Sequence, residues 1–267
     1  MDLSDHVKIE KDTVWRFRRL NQFDTYLYRT INIVQEKNFR DAMGSVIAFG
    51  VCRIIEGPLK GNFRYLKSDD SHSIDIPWKE YAIYLPRNSV TKALTLGVNL
   101  DIHFFLTTDP QADDLFAGFD RAMIFPFSGP LPQTLIQVKS LVANCAESVD
   151  IEFCHQPRLI TQRLKRRIEQ NLTFNERMGD VASEYRTSST VLGRMFRQDF
   201  GLSPTEYRNH LRIVRCSLDL IHGSRIVDTY QEFGFEDLSQ FYRVFKRVTK
   251  ARPREYKPKD MSKITKK

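Results

Sequence analysis

A chain of 267 residues is long enough for one large domain or two ordinary ones. With 41% hydrophobic and 28% charged residues it has a globular composition, and its apolar runs, such as those at 46–51 and 122–127, stop far short of the ~20 residues that cross a membrane. Net charge is +8, divided as +11 from Arg158 onward and −3 before it, which puts a polyanion-binding surface in the C-terminal part alone.

The chain opens Met1-Asp2-Leu3-Ser4-Asp5-His6, without a basic segment followed by an apolar one, so no signal peptide is read and a cytoplasmic, nucleoid-associated protein is expected. Residues 1 to about 45 are polar; within them Phe23 to Asn38 is read as a helix with Leu27, Ile31 and Val34 on one side. From Val46 to Thr108 short apolar runs alternate with turn residues. Strands are predicted over 46–55, 62–66, 81–85, 90–96 and 102–106, separated by Gly57-Pro58, Gly61-Asn62, Ser68-Asp69-Asp70-Ser71 and Pro86-Arg87-Asn88. This spacing suggests a small antiparallel barrel or sandwich. Asp109-Pro110 closes the region, and 122–127 is expected as a final edge segment that tolerates Pro126. A helix over 133–147 carries Leu135, Val138, Leu141 and Val142 at helical spacing, and a linker over 148–157 follows.

From Arg158 onward the pattern is helical. Ile160, Leu164, Ile168 and Leu172 mark one helix, and 176–184 and 188–200 mark two more. Ser203 and Pro204 restart the chain as cap and first helical residue of a long helix to Ile221, with Tyr207, Leu211, Val214, Leu218 and Ile221 inward. His222-Gly223-Ser224 stops it. Helices over 225–233 and 237–248 complete the series. The four cysteines, Cys52, Cys145, Cys154 and Cys216, form no close pair and are read as free thiols.

Two of these helix pairs resemble each other. In both, a short helix, a capped tight turn and a second helix end on the pattern Leu/Phe-x-Arg-Met/Val-Phe, with Arg194 and Arg243 lying 49 residues apart. Ala182 supplies a small residue at the first helix crossing. Gly234 sits where the second turn wants a positive φ, and Ser188 and Asp237 are placed to cap the following helices. Leu192, Met195 and Phe196 form the inward stripe of one second helix, which leaves Ser189, Thr190, Gly193, Arg194 and Arg197 outward. Phe241, Val244 and Phe245 form the other, which leaves Ser239, Gln240, Tyr242, Arg243, Lys246 and Arg247 outward. Arginine takes guanine O6 and N7 bidentately and glutamine takes adenine N6 and N7, each good pair giving ~1–3 kcal/mol of discrimination. Arg197, Tyr242, Lys246 and Arg247 are assigned to phosphates, which give affinity and salt dependence but no sequence information.

The segment from about Arg158 to Met261 resembles the C-terminal domain of the AraC/XylS family of bacterial transcription regulators. The resemblance rests on four stretches: Phe200-Gly201-Leu202-Ser203-Pro204-Thr205-Glu206-Tyr207; Leu211-Arg212 with Arg215; Phe233-Gly234-Phe235-Glu236-Asp237-Leu238-Ser239-Gln240-Phe241-Tyr242-Arg243-Val244-Phe245-Lys246-Arg247; and Pro253-Arg254-Glu255-Tyr256. It implies an α+β chain: a β-rich N-terminal regulatory or dimerisation domain over 1–150, cupin-like barrel or sandwich, then an all-α tandem helix-turn-helix domain over 158–261. It further implies seven helices in that domain, base reading around Thr190 to Arg194 and around Leu238 to Arg243, and a regulator, usually an activator, that binds double-stranded DNA near promoters and contacts RNA polymerase. A small-molecule effector or a homodimer is the implied business of the N-terminal domain; the alternative is control by a protein partner. Departures from the family pattern are Arg186 in place of glycine, Tyr230 in place of a small residue, Gly193 on the recognition helix, and Thr249 and Lys250 in place of an aromatic and a glycine.

Nothing in the chain reads as a catalytic constellation: there is no phosphate loop, dinucleotide glycine fingerprint, Gly-x-Ser-x-Gly elbow or metal box, so neither an enzyme nor a cofactor is expected. His72 and His103 stand isolated and are read as surface or core residues rather than metal ligands. The family's DNA-repair subtype needs an N-terminal zinc cysteine cluster, which Cys52 alone does not supply. Phe63, Tyr65, Tyr81, Tyr84, Phe104 and Phe105 are read as core, with an apolar pocket as the rival reading.

Overall fold

The computed structural model of the chain describes residues 6–10, 13–20, 23–33, 37–42, 44, 46–56, 63–66, 73–95, 98–154, 156–173, 175–249 and 251–257. The first part is antiparallel β-structure. Its strands are β1 (His6–Glu10), β2 (Thr13–Leu20), β3 (Phe23–Ile33), β4 (Lys37–Ala42), β5 (Ile47–Glu56), β6 (Phe63–Leu66), β7 (Ser73–Asp75), β8 (Glu80–Leu85), β9 (Val90–Thr95), β10 (Val98–Thr107), β11 (Met123–Pro126) and β12 (Val149–Asp150). Two sheets result, ordered β1-β2-β3-β10-β5-β8-β11-β12 and β4-β9-β6-β7.

Around β5 and β8 the larger sheet is buried on both faces, which is why these strands read as near-continuous apolar runs rather than alternating ones. Ile47, Phe49 and Val51 of β5 share one face with Ala82, Tyr84, Phe105 and Phe125, and this face is covered by α1 (Gln111–Leu115) and α2 (Leu135–Ala143) through Ala112, Val138 and Val142. Ala48, Cys52 and Ile54 share the opposite face with Tyr81, Ile83, Ile102 and Ile124. Helix α2 starts on a reciprocal cap: Thr134 Oγ1 accepts from the Gln137 N–H, and Gln137 Oε1 accepts from the Thr134 N–H, both at 3.2 Å.

The second part holds α3 (Leu159–Gln170), α4 (Met178–Glu184), α5 (Ser189–Phe200), α6 (Pro204–Ile221), α7 (Ile226–Glu232) and α8 (Leu238–Thr249), then a 3-10 turn over Pro253–Tyr256. The implied seven helices are thus six α-helices and one 3-10 turn among the described residues. No helix among these residues is long and apolar enough to cross a membrane.

Several expectations are corrected. The stretch 23–38 is not a helix: it supplies β3 and the start of β4, and β3 pairs with β2 and β10. The β-region begins at His6, well before Val46. The segment at 122–127 is not an edge, because β11 lies between β8 and β12. The expected linker over 148–157 contains β12 and the buried Ile151 and Phe153. Helix α6 is buried on more faces than one inward stripe, since Arg208, Arg212, Ile213, Cys216 and Leu220 are buried beside Tyr207, Leu211 and Leu218. Tyr81, Tyr84 and Phe105 are core residues and Phe104 packs on the core. His103 is half-buried on β10. His72, the turns at 57–62 and 68–71 and the side chains of Phe63 and Tyr65 lie outside the described residues. Cys52 and Cys216 are buried and Cys145 and Cys154 half-buried, all four free.

Candidate nucleic-acid interface

Helix α4, a tight turn and α5 form the first of two matched units. Val181 and Ala182 are buried where α4 meets the rest. The chain then turns at Arg186, whose φ is +53°. The Arg186 N–H reaches the Ser183 carbonyl at 2.9 Å and the Thr187 N–H reaches that of Ala182 at 3.0 Å. Ser188 Oγ accepts from the Val191 N–H at 3.2 Å and caps α5. Leu192, Phe196 and Phe200 bury one side of α5, Met195 packs beside them, and the buried Asp199 accepts from the Arg158 N–H at 3.0 Å and from Thr161 Oγ1 at 2.5 Å. Ser189, Thr190, Arg194 and Arg197 face out, with Gly193 half-exposed between them.

The second unit repeats this design with one extra residue in the turn. The Gly234 N–H reaches the Gln231 carbonyl and the Phe235 N–H that of Tyr230, both at 3.1 Å, matching the pair at Arg186 and Thr187. The cap, Asp237, lies three residues past the positive-φ corner instead of two. Asp237 Oδ1 accepts from the Gln240 N–H at 2.7 Å, and Gln240 Oε1 accepts from the Glu236 N–H at 3.1 Å. The amide carbonyl of Gln240 is therefore tied to its own turn, and the residue is half-buried. Phe241, Val244 and Phe245 are buried; Leu238, Ser239, Arg243, Lys246 and Arg247 are exposed, and Tyr242 is half-buried with its ring edge-on to Phe241 at 6.0 Å. The Tyr230 ring lies 6.2 Å from that of Phe241, so the large side chain at this helix crossing is taken into the aromatic core.

Helix α6 joins the units. Its start is a reciprocal cap: the Glu206 N–H donates to Ser203 Oγ at 3.3 Å and the Ser203 N–H donates to Glu206 Oε2 at 2.8 Å. Arg197 pairs with the same carboxylate at 3.1 Å, an exposed and hence weak pair. Arg212, buried on α6, holds the units in register. It donates to the Leu172 carbonyl at 2.7 Å, to Asn175 Oδ1 at 2.9 Å and to the Gly234 carbonyl at 3.2 Å. Burial, reinforced by nearby Arg208, pulls the Arg212 guanidinium down to about 10. Gly234 has φ +70°, and a Cβ there would stand 2.1 Å from the Thr173 carbonyl oxygen, so glycine is required twice over. Arg167 joins α3 to α4 through a fork to Glu176, at 2.9 and 2.6 Å, and a further contact to Glu184.

Most of the named outward residues thus lie on the open sides of α5 and α8, and neither Arg194 nor Arg243 has a hydrogen-bond or ion-pair partner among the described residues. Such guanidiniums are available to a polyanion without first breaking an internal pair. Reading the sequence assigned Arg212 no structural role. The available signal was two arginines, Arg208 and Arg212, one turn apart on a helix otherwise carrying core residues.

Residues 181–259, from within α4 through the second unit, match the family described as Helix-turn-helix domain. No curated protein matches the chain. Among solved structures, ToxT from Vibrio cholerae is 15% identical, with 86% of this chain and 97% of that one covered and a TM-score of 0.49. ToxT from Vibrio cholerae O395 is 18% identical, with coverages of 83% and 96% and a TM-score of 0.46. The C-terminal domain of AraT, a response regulator from Geobacillus stearothermophilus, is 20% identical over 38% of this chain and 85% of that one, with a TM-score of 0.36.

Proposed function

We propose, on the premise that residues 181–259 form an AraC-type helix-turn-helix domain of a DNA-binding transcription regulator, that the chain reads two adjacent major-groove segments with α5 and α8 and acts as an activator. Base reading falls to Ser189, Thr190, Gly193 and Arg194 on α5 and to Leu238, Ser239, Gln240 and Arg243 on α8. Phosphate contact falls to Arg197, Tyr242, Lys246 and Arg247. The observation that carries this is the matched pair Arg194 and Arg243: both exposed, both unpartnered among the described residues, both at the same place of equivalent capped helices. Two helices joined rigidly in one chain can enter successive grooves, ~34 Å apart, without a dimer.

The division of labour that fits is a regulatory or dimerisation domain over 1–150 and a DNA-binding domain over 158–261, working in the cytoplasm on the nucleoid and meeting RNA polymerase at the promoter. The N-terminal part takes a small-molecule effector or a second copy of the chain. ToxT has been crystallised with an unsaturated fatty acid bound. Control by a protein partner through the N-terminal region is the second reading.

Arg243→Ala is the direct test. It should weaken binding at one base position of the selected site by ~1–3 kcal/mol and leave random-sequence DNA unaffected. An equal loss on random DNA would reduce Arg243 to a phosphate contact.

A further inference from the structure

Gly193 is the fifth residue of a helix that runs from Ser189 to Phe200. Glycine in a helix interior weakens the helix relative to alanine, and the packing around Gly193 does not require it. Its φ is not positive, and a Cβ built at Gly193 would have nothing within 4 Å. Gly234 shows the opposite case, where both backbone and packing demand glycine. Gly193 lies on the open face of α5, between Thr190 one turn before and Arg197 one turn after, and next to Arg194. With the spacing that matches Arg194 to Arg243, its counterpart on α8 is Tyr242. One recognition helix therefore carries no side chain where the other carries a half-buried aromatic one.

The geometry points to Gly193 as a close-approach site for DNA, where the wall of the major groove packs directly on the α5 backbone, an approach that the side chain of Tyr242 obstructs at the matched place on α8. Glycine serves wherever a backbone must come close to a ligand. This rests on α5 being a DNA-reading helix, as proposed above. The two readers then engage the duplex at different depths, which gives an asymmetric site two unlike halves from one chain.

Full-length wild type, Gly193→Ala and Gly179→Ala are to be compared. Gly179 is exposed on α4, also has nothing within 4 Å of a built Cβ, and lies off both recognition helices. The probe is the duplex that wild type enriches most from a random-sequence library. Gly193→Ala should raise the thermal midpoint, by about 2–4 °C for a full helix-propensity gain, and Gly179→Ala, in the first turn of α4, should raise it by less. Only Gly193→Ala should weaken binding, by about tenfold or more, as overpacking a close contact does. A loss confined to one base position identifies a base edge as the group packed on Gly193; a uniform loss identifies the sugar–phosphate wall. Unchanged or tighter binding by Gly193→Ala overturns the inference while leaving the two-helix reading intact. So does a lowered midpoint, which would mean that the fold itself needs the glycine. No enrichment by wild type overturns the two-helix reading, and the inference with it.

Discussion

Arg186 and Gly234 hold the same corner of the two units, at φ +53° and +70°. A side chain in this left-handed region is strained by ~1–2 kcal/mol, while glycine is free of that strain but loses more chain entropy on folding. The balance predicts that Arg186→Gly stabilises the protein by about 0.5–1 kcal/mol in chemical denaturation; a destabilised variant would show that the arginine side chain supports the turn. The corner at Gly234 was legible because turn chemistry is local; the one at Arg186 was marked only by the family resemblance, which implies glycine there. Arg212 was not legible. Its acceptors, the Leu172 and Gly234 carbonyls and Asn175, lie 40, 22 and 37 residues away and come together only when α3, α6 and the second turn pack. Gln240 shows the same limit in reverse: its place on the outward face was readable, its commitment to the Glu236 N–H was not.

Helix α6 illustrates what element-level signals can define. Ser203, Pro204 and Glu206 mark its start and His222-Gly223 its end, and the observed helix runs from Pro204 to Ile221 as expected. Ser203→Ala removes the acceptor for the Glu206 N–H and should cost about 0.5–2 kcal/mol, read as a lower denaturation midpoint. An unchanged midpoint would mean that the Arg197–Glu206 side of the turn holds the helix start by itself. Strand β3 illustrates the failure. Leu27, Ile31 and Val34 recur at three- and four-residue intervals, which satisfies a helical template, yet the segment pairs antiparallel with both β2 and β10. Its partner β10 is far along the chain, and non-local pairing overrides local spacing. The same cause hid β4, whose partner β9 is distant in the chain; β1 and β2 pair with chain neighbours but lack the dense apolar runs bounded by turns that marked β5 and β8.

At the scale of the molecule, charge and periodicity divided the chain near Arg158, but they did not reveal how closely its halves join. Val90 and Phe153 belong to the same core as Leu164, Leu192 and Phe196 of the first unit. Leu218 of α6, with Val214 beside it, belongs to the core of the larger sheet, together with Ile54, Ile83 and Ile102 and next to Trp78. Glu152, just before the junction, is anchored to the β-structure: its carboxylate accepts from the Val90 N–H at 3.4 Å and the Ala122 N–H at 3.2 Å. Burial pushes that carboxyl up, against the pull of these N–H groups and of Lys165. Helix α6 is thus a core element of both halves. Leu218→Ala should cost about 2–5 kcal/mol and lower the melting of tryptophan fluorescence, which reports the N-terminal half through Trp15 and Trp78, and of helical circular dichroism together; a loss seen by one probe alone would mean that the halves melt independently. The central claim concerns how DNA is read, and selection of bound sequences from a random library by the full-length protein at near-physiological salt tests it most directly. Two short conserved blocks with centres about 10–10.5 base pairs apart are the predicted result. A single block, or binding that vanishes with salt and enriches no sequence, would contradict it.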